Sequence, residues 1–305
     1  MSSPSTPQTP RTERADFQAT SDPAVLESAD RGVHLLDYSE LYLLWERQQW
    51  ATQDLDFTQD RIDWNERFDA EERFSRMYGL SSFFTGEQRV TAELGPMMRA
   101  CPQEDMRIFL STQIADEARH VAFFDRFYSE VGVLESETLE DRLRETSPHL
   151  NPSFSVVFDE MLHSRVDRLA REPEDLETLV EAVTIYHMVI EGMLGLTGQH
   201  FIIDYNETMG TLPGFVDGFT KVARDEHRHV AFGARFLRDM VARDDRYRDA
   251  IQRALGEVAP EAERVLRPTW VPDDDEETEY FGASMGAVRQ FAVRALERRL
   301  KVIGL

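Results

Sequence analysis

Residues 116–123 read Asp-Glu-Ala-Arg-His-Val-Ala-Phe, and residues 225–232 read Asp-Glu-His-Arg-His-Val-Ala-Phe. Seven of the eight positions agree between the two copies. Each copy holds a Glu-x-x-His pair, and two residues that are three apart on a helix project in nearly the same direction. The repeat therefore predicts two helices that each present one glutamate and one histidine on a single face.

These two pairs lie on helix faces that are otherwise apolar. The apolar stripe runs from Met106 to Phe124 in the first copy and from Phe219 to Met240 in the second. A carboxylate on a core-facing stripe is costly unless it is paired or bound to a metal, so a cluster of carboxylates calls for a cation. The residues inside these stripes are Glu117, His120, Glu226 and His229.

One more glutamate precedes each copy at a position where the helical pattern expects an apolar residue. Glu87 falls in a stripe with Leu80 and Leu94, and Glu191 lies in a segment that is apolar on nearly every side. Two helices that give a Glu and two that give Glu-x-x-His form the ligand set of carboxylate-bridged dimetal bundles. Four carboxylates and two imidazoles suit iron and manganese, with positions left for oxygen and substrate. We therefore predict a dinuclear metal site in the core.

The aspartates at the head of each copy have two possible roles. Asp116 and Asp225 could each hold a ligand imidazole from behind. Salt bridges at the surface with Arg119 or Arg228 are the alternative.

Two further histidines stand near the predicted ligands. His187 precedes Glu191 by about one turn and faces the same way, which favours a supporting or plain core role over that of a seventh ligand. His227 points about 100° away from Glu226 and is predicted to lie at the surface.

The rest of the chain reads as one all-α domain over residues 34–305, after a tail at 1–33 that is rich in Ser, Thr, Pro and charge and is predicted to be disordered. Gly95-Pro96 and Pro102 are read as breakers around one helix junction. No hairpin signature is seen. The predicted helices cover about 37–50, 66–95, 103–130, 153–172, 175–200, 213–243, 246–266 and 283–302.

Composition narrows the class of partner and compartment. The 57 acidic residues exceed the 34 basic ones, and the net charge of −23 disfavours nucleic acid and anionic membranes. No apolar run approaches the roughly 18 residues of a membrane span, and the N-terminus does not resemble a secretory signal. Cys101, the single cysteine, excludes an internal disulfide and fits a reducing cytoplasm. We expect a soluble cytoplasmic protein.

The ligand order and the Asp-Glu-x-Arg-His helices resemble the ribonucleotide reductase small-subunit superfamily of ferritin-like proteins, from about Leu35 to Ile303. Within it the chain is most similar to the ligand-binding oxidases with a mixed manganese/iron site. Reductase subunits carry a radical tyrosine at the place of Phe124. The oxidases carry a valine and a tyrosine at the places of Val90 and Tyr186.

This resemblance implies a ferritin-like helical bundle with additional helices and an O2-activating oxidase that forms a homodimer. It implies an ether bond between Val90 and Tyr186 and a long-chain fatty acid in an apolar tunnel beside the metals. Glu117 and Glu226 would bridge the two metals. The manganese ligands would be Glu87, Glu117 and His120, and the iron ligands Glu191, Glu226 and His229; a di-iron site is the alternative.

Tyr186 is hard to bring to the site in a regular helix. It precedes Glu191 by five residues, which puts it about 140° away from the direction of that ligand. It can reach the metals if the helix is locally bulged, as helices at functional sites often are, or if it approaches from above.

Three other functions remain open. A reductase small subunit would carry an aromatic relay residue in a C-terminal tail, and the last seven residues, Arg-Leu-Lys-Val-Ile-Gly-Leu, contain no aromatic residue. A di-iron N-oxygenase would carry an extra histidine one turn before Glu226, where Val222 stands. A metal-storage protein is the non-enzymatic alternative, and it would bind many irons per chain.

Overall fold

Helices make up most of the chain that the computed structural model describes, residues 35–305. The tail at 1–33 that the sequence predicts to be disordered lies outside these residues. The helices are α1 Tyr38–Arg47, α2 Thr58–Ile62 with a π-helical turn Asp63–Arg67, α3 Ala70–Ala100, α4 Glu104–Val131, α5 Leu139–Thr146, α6 (Pro152–Ser155, a π-helical stretch Val156–Leu162, and His163–Arg171), α7 Leu176–Met209, α8 Pro213–Arg243, α9 Arg246–Val265 and α10 Met285–Ile303.

The bundle core is built from α3, α4, α7 and α8. The α3 helix packs along α4, and α7 packs along α8. Two clusters of buried apolar side chains fill the bundle. Glu87 separates Phe84 in one cluster from Val90 in the other, and Glu226 likewise separates Val222 from Val230. The predicted ligand positions therefore lie where the two apolar clusters meet, and the all-α bundle predicted from the sequence is confirmed.

The start of α8 is fixed by a carboxylate from another helix. Leu212, just before α8, has a positive φ of 50°, and no side chain of its own caps the helix. Asp60 of α2 instead accepts hydrogen bonds from the backbone N–H groups of Gly214 (2.8 Å) and Phe215 (2.7 Å). These are orphan donors of a helix N-terminus. Tertiary contact thus positions the helix that carries the second Glu-x-x-His pair.

Several predicted boundaries are wrong. Pro96 does not end a helix but lies inside α3, which continues to Ala100 because Met97 and Ala100 bury apolar surface in the core. The α7 helix runs nine residues past the predicted end at 200, to Met209. Two short helices, α2 and α5, were not predicted, and neither was the small antiparallel ribbon formed by β1 (Glu279–Tyr280) and β2 (Ala283–Ser284).

The α7 helix carries a long π-helical segment, Thr184–Gly195, between Leu176–Val183 and Leu196–Met209. By length and composition alone, α7 is long and apolar enough to cross a membrane, although polar residues interrupt every apolar run in it. Of its most apolar window, 89% is buried inside the protein. Such burial is what a central core helix of a bundle requires.

Candidate metal centre

The structure brings the six sequence-predicted ligand residues into one buried cluster, each at most 7% exposed. The cluster divides into two groups, and in each group one possible ligand atom per residue lies within 4.8 Å of all the others. Glu117 and Glu226 belong to both groups. The groups are Glu87, Glu117, His120 and Glu226, and Glu117, Glu191, Glu226 and His229.

Each imidazole presents Nδ1 to three carboxylates. His120 Nδ1 lies 3.3 Å from Glu87, 3.4 Å from Glu117 and 3.3 Å from Glu226. His229 Nδ1 lies 3.3 Å from Glu117, 3.3 Å from Glu191 and 3.6 Å from Glu226. The two histidines, which occupy equivalent positions in the sequence repeat, therefore also have equivalent surroundings in the structure. Glu117 and Glu226 lie near both rings.

Buried atoms without partners indicate that cations fit between these side chains. Within the described part of the chain, the Oε2 atoms of Glu117, Glu191 and Glu226 and Nδ1 of His229 have no hydrogen-bond partner. Buried polar atoms are normally satisfied, so a group of orphaned ligand-type atoms at one point is a strong exception. Oxygen and imidazole nitrogen are the donors that iron and manganese accept. The donor set thus suits two such metals.

Charge coupling in the metal-free cluster is strong. Burial raises the pKa of Glu87 and of Glu191 well above the usual range for a carboxyl group. Burial also acts to raise the pKa of Glu226, but the adjacent His120 and His229 rings outweigh it and hold that pKa at about 2. For His120 and His229, burial favours the neutral ring, yet the surrounding carboxylates raise both pKa values well above the ordinary value. Imidazolium ions therefore supply positive charge where metals would supply it.

The aspartates of the repeat hold the histidines crosswise. Asp225, from the second copy, lies 3.4 Å from Nε2 of His120 in the first, and Asp116 lies 3.2 Å from Nε2 of His229. Such carboxylate contacts fix the tautomer and orientation of ligand imidazoles. Each aspartate also accepts an indole N–H, from Trp50 (2.7 Å) and Trp45 (2.9 Å) respectively.

Arg228 joins the two aspartates. Its guanidinium lies 2.7 Å from Asp225 and 2.7 Å from Asp116, and its side chain is 2% exposed. Arg119 adds contacts of 3.1 Å to Asp116 and 3.4 Å to Asp225 from a position that is 15% exposed. The two roles that the sequence left open are therefore both filled, but the salt bridges are buried and not at the surface, because the aspartates face the interior between α4 and α8.

Gln113 is a site residue that sequence reasoning missed. Its Nε2 donates to Glu191 Oε1 at 2.8 Å and lies 3.1 Å from the Tyr186 hydroxyl. His187 Nε2 lies 3.1 Å from the Gln113 Oε1 atom, so His187 supports the cluster from outside and is not in either ligand group. The sequence does contain one indication of this role, since Gln113 lies one helical turn before Glu117 and therefore on the same inward face.

The π-helical segment of α7 brings Tyr186 to the cluster. A π-helix has i→i+5 hydrogen bonds, so residues five apart come nearly above one another. The Tyr186 hydroxyl accordingly donates to Glu117 Oε1 at 2.7 Å. Burial and then the charges of Glu117, Glu191 and Glu226 raise the pKa of the phenol well above its ordinary value, so the group stays protonated in the metal-free protein.

Two other sequence-based expectations concern residues near the cluster. His227 is half-buried and not at the surface, because its ring folds back and its Nδ1 lies 2.6 Å from the carbonyl of Ala223. Phe124 is fully buried. It packs in a group of aromatic rings that comprises Phe83, Phe84, Phe123, Phe215 and Phe219.

A cleft leads away from the cluster between α3, α6, α7 and the ribbon. Val90 and Tyr186 line it at the cluster end, and Tyr280 and Phe281 line it near the ribbon. The space between atoms amounts to about 1010 Å³, including the part open to solvent. Most of the lining side chains are apolar, which is typical of a site for a hydrophobic small molecule.

The fold and the cluster together define a class. Four bundle helices supply two lone glutamates and two Glu-x-x-His pairs around a shared pair of carboxylates, which is the arrangement of ferritin-like dinuclear carboxylate proteins. The sequence matches the ribonucleotide reductase small chain family over residues 36–305. The chain belongs to the ribonucleotide reductase small chain family and is an oxidoreductase.

Solved structures agree with this assignment. One is a variant of an R2-like ligand-binding oxidase with an anaerobically reconstituted Mn/Fe cofactor; it is 26% identical, with a TM-score of 0.74 over 88% of this chain and 93% of that chain. Another variant of an R2-like ligand-binding oxidase, with an aerobically reconstituted Mn/Fe cofactor, is similar to the same degree over 88% of this chain and 94% of that chain.

Proposed function

We propose that this chain is an O2-dependent oxidase with a mixed manganese/iron cofactor that binds a long-chain fatty acid and oxidises C–H bonds close to the metals. The observation that carries this proposal is the position of Tyr186, whose hydroxyl lies 2.7 Å from a carboxylate shared by both ligand groups while its ring lines the apolar cleft. The proposed metal ligands, the Tyr186 phenol and the apolar cleft therefore lie next to one another.

The ligands in this proposal are the six clustered residues, with Glu117 and Glu226 bridging. Orphaned oxygens on three of the glutamates support it. Bound manganese and iron would supply electrons for the reduction of O2. By the resemblance, manganese would bind at Glu87, Glu117 and His120, and iron at Glu191, Glu226 and His229.

We propose that one product of this chemistry is an ether bond from Val90 Cβ to Tyr186 Oη. Val90 is three residues from Glu87, so it shares the face that carries this glutamate toward the cluster. Glu117 can accept the phenolic proton of Tyr186 at 2.7 Å. Val90 loses its Cβ hydrogen and Tyr186 its hydroxyl hydrogen, so two protons and two electrons leave the protein, and O2 is the acceptor.

Peptide mapping tests the ether bond. Wild-type protein loaded with both metals under air should yield a joined species that contains Val90 and Tyr186 and lacks two hydrogens. Protein loaded without oxygen, and Tyr186→Phe protein loaded under air, should yield the separate peptides. Separate wild-type peptides under air, with both metals bound, would refute this step.

The fatty acid is proposed from the resemblance to the ligand-binding oxidases, and the apolar lining of the cleft supports it. The apolar rings of Phe154 and Phe158 stack at 4.1 Å on one wall, and Ile190 and Leu194 of α7 lie on another. Organic extraction of purified metal-loaded protein, followed by mass spectrometry, should find a near-stoichiometric carboxylic acid with a long alkyl chain. Repeated recovery of no lipid would favour the reductase or N-oxygenase alternatives.

We further propose a cytoplasmic homodimer with a single ferritin-like domain over residues 34–305. Cys101 is free and buried, which fits a reducing compartment. Light scattering coupled to gel filtration should give twice the mass of the 35.2 kDa chain. A monomeric mass at micromolar concentration would contradict the dimer.

A further inference from the structure

The cleft contains a buried amide whose oxygen has no hydrogen-bond partner within residues 35–305. Gln199 lies on α7, lines the cleft and is 1% exposed. Its Oε1 atom has no hydrogen-bond partner among the described residues. A buried acceptor without a partner lowers stability unless something else binds it. The neighbouring cleft residues Phe201 and Ile202 are apolar.

Two other polar side chains of the cleft, away from the carboxylate cluster, already have hydrogen-bond partners. The Thr197 hydroxyl donates to the carbonyl of Met193 at 2.6 Å. The Tyr280 hydroxyl donates to the carbonyl of Ser75 at 2.8 Å. Gln199 therefore differs from these residues in offering a free hydrogen-bonding atom to whatever occupies the cleft.

The wall beside Gln199 is closely packed. Gly198 has no side chain, and a Cβ there would lie 2.6 Å from the Phe83 ring, which also lines the cleft. Phe83 packs edge-on against Phe219 with ring centroids 4.9 Å apart. The Phe83 ring is thus held between Gly198 and Phe219, and it lines the same cleft as Gln199.

We propose that Gln199 binds a hydroxyl group on the chain of the ligand, so that this protein takes a hydroxylated long-chain acid in preference to an unsubstituted one. The inference rests on the proposed binding of a long-chain acid in the cleft, and it places the carboxylate of that acid at the cluster end. Gln199 follows Glu191 by eight residues, which is about 12 Å along a helix. The hydroxyl therefore belongs well along the chain from the carboxylate. A hydroxyl can both donate and accept, so it satisfies either end of the amide.

A competition between lipids tests the proposal. Delipidated protein loaded with both metals is incubated with an equimolar mixture of hexadecanoic acid and its monohydroxylated isomers, separated from free lipid and extracted for mass spectrometry. Wild-type protein should retain one isomer, or two adjacent ones, at least about 10-fold over hexadecanoic acid, which corresponds to about 1.4 kcal/mol. Sites built to bond a hydroxyl discriminate at least this well.

Two variants locate the preference. Gln199→Met removes the amide at similar length, and it should bind as much lipid in total but prefer no isomer; Gln199→Leu serves the same purpose if the methionine variant does not fold. Ile203→Leu changes a buried apolar residue of the same helix that does not line the cleft, and it should keep the wild-type ratio.

The possible failures are distinct. Wild-type protein that retains hexadecanoic acid and its isomers equally would overturn the role of Gln199, whose amide would then bind water, and would leave the proposed lipid-binding oxidase intact. A preference that survives in Gln199→Met would also overturn it. Recovery of no lipid at all from wild-type protein would overturn both proposals.

Discussion

Replacement of Arg228 by methionine should destabilise the protein and loosen both halves of the cluster. The guanidinium is 2% exposed and bridges two aspartates at 2.7 Å each. Removing one partner of a buried ion pair leaves an uncompensated charge and costs about 3–5 kcal/mol. Because Arg228 neutralises both Asp116 and Asp225, we expect a loss in the free energy of unfolding of about 5 kcal/mol, at the upper end of that range.

Arg119→Met is the matched control. Arg119 contacts the same two aspartates at 3.1 and 3.4 Å, but its side chain is 15% exposed and water can solvate part of the charge. Its loss should cost about 1 kcal/mol. Arg228→Lys should fall between the two, because a lysine keeps the charge but lacks the planar fork that reaches both carboxylates.

Urea unfolding of the metal-free proteins at pH 7, followed by circular dichroism, measures these differences. Metal titration gives a second readout, since loss of the contacts behind ligand imidazoles typically weakens metal binding 10- to 100-fold. Arg228→Met should weaken the binding of both metals. Equal unfolding free energies for Arg228→Met and Arg119→Met would refute the reasoning that the buried bridge holds the aspartates.

Three further predictions follow from single positions. Glu117→Ala and Glu226→Ala should each lose both metals together, because each residue belongs to both ligand groups; elemental analysis that finds full occupancy in either variant would remove that residue from the site. Burial lowers the pKa of His187 to about 3, so the unfolded chain gains a proton as the pH falls below about 6.5 and the folded chain does not. Stability should therefore decline between pH 6.5 and 3, and His187→Gln should flatten that part of the curve; an unchanged slope would contradict the buried neutral ring. Gly198→Ala places a Cβ 2.6 Å from the Phe83 ring, which should cost about 1–3 kcal/mol of stability and reduce bound lipid while both metals stay bound. Lipid content equal to that of the wild type would contradict this prediction and would show that the Phe83 ring moves without narrowing the cleft.

The six clustered residues could be predicted from the sequence because their clustering depends on local geometry and on the cost of burying charge. A Glu-x-x-His pair shares one helix face whatever surrounds it. A glutamate on an apolar stripe, such as Glu87 or Glu191, needs a partner wherever the stripe is buried. These two rules suffice for the all-α class and for the six residues that the structure brings together.

Helix boundaries were predicted less well, because they depend on what the helix ends pack against. Pro96 removes one backbone hydrogen bond, yet the burial of Met97 and Ala100 keeps α3 helical beyond it. The start of α8 depends on Asp60, which is more than 150 residues away in the chain. The predicted start at residue 213 is correct, but the local sequence does not show which carboxylate accepts hydrogen bonds from the first N–H groups.

Only the tertiary structure decided which groups meet across helices. Sequence periodicity gives the direction of a side chain about its own axis, whereas the contacts between helices depend on their relative shift along those axes. The crossed pairs, Asp225 with His120 and Asp116 with His229, follow from how α4 and α8 lie side by side. Tyr186 reaches Glu117 because the π-helical segment of α7 reduces the offset of about 140° that a regular helix would leave between Tyr186 and Glu191.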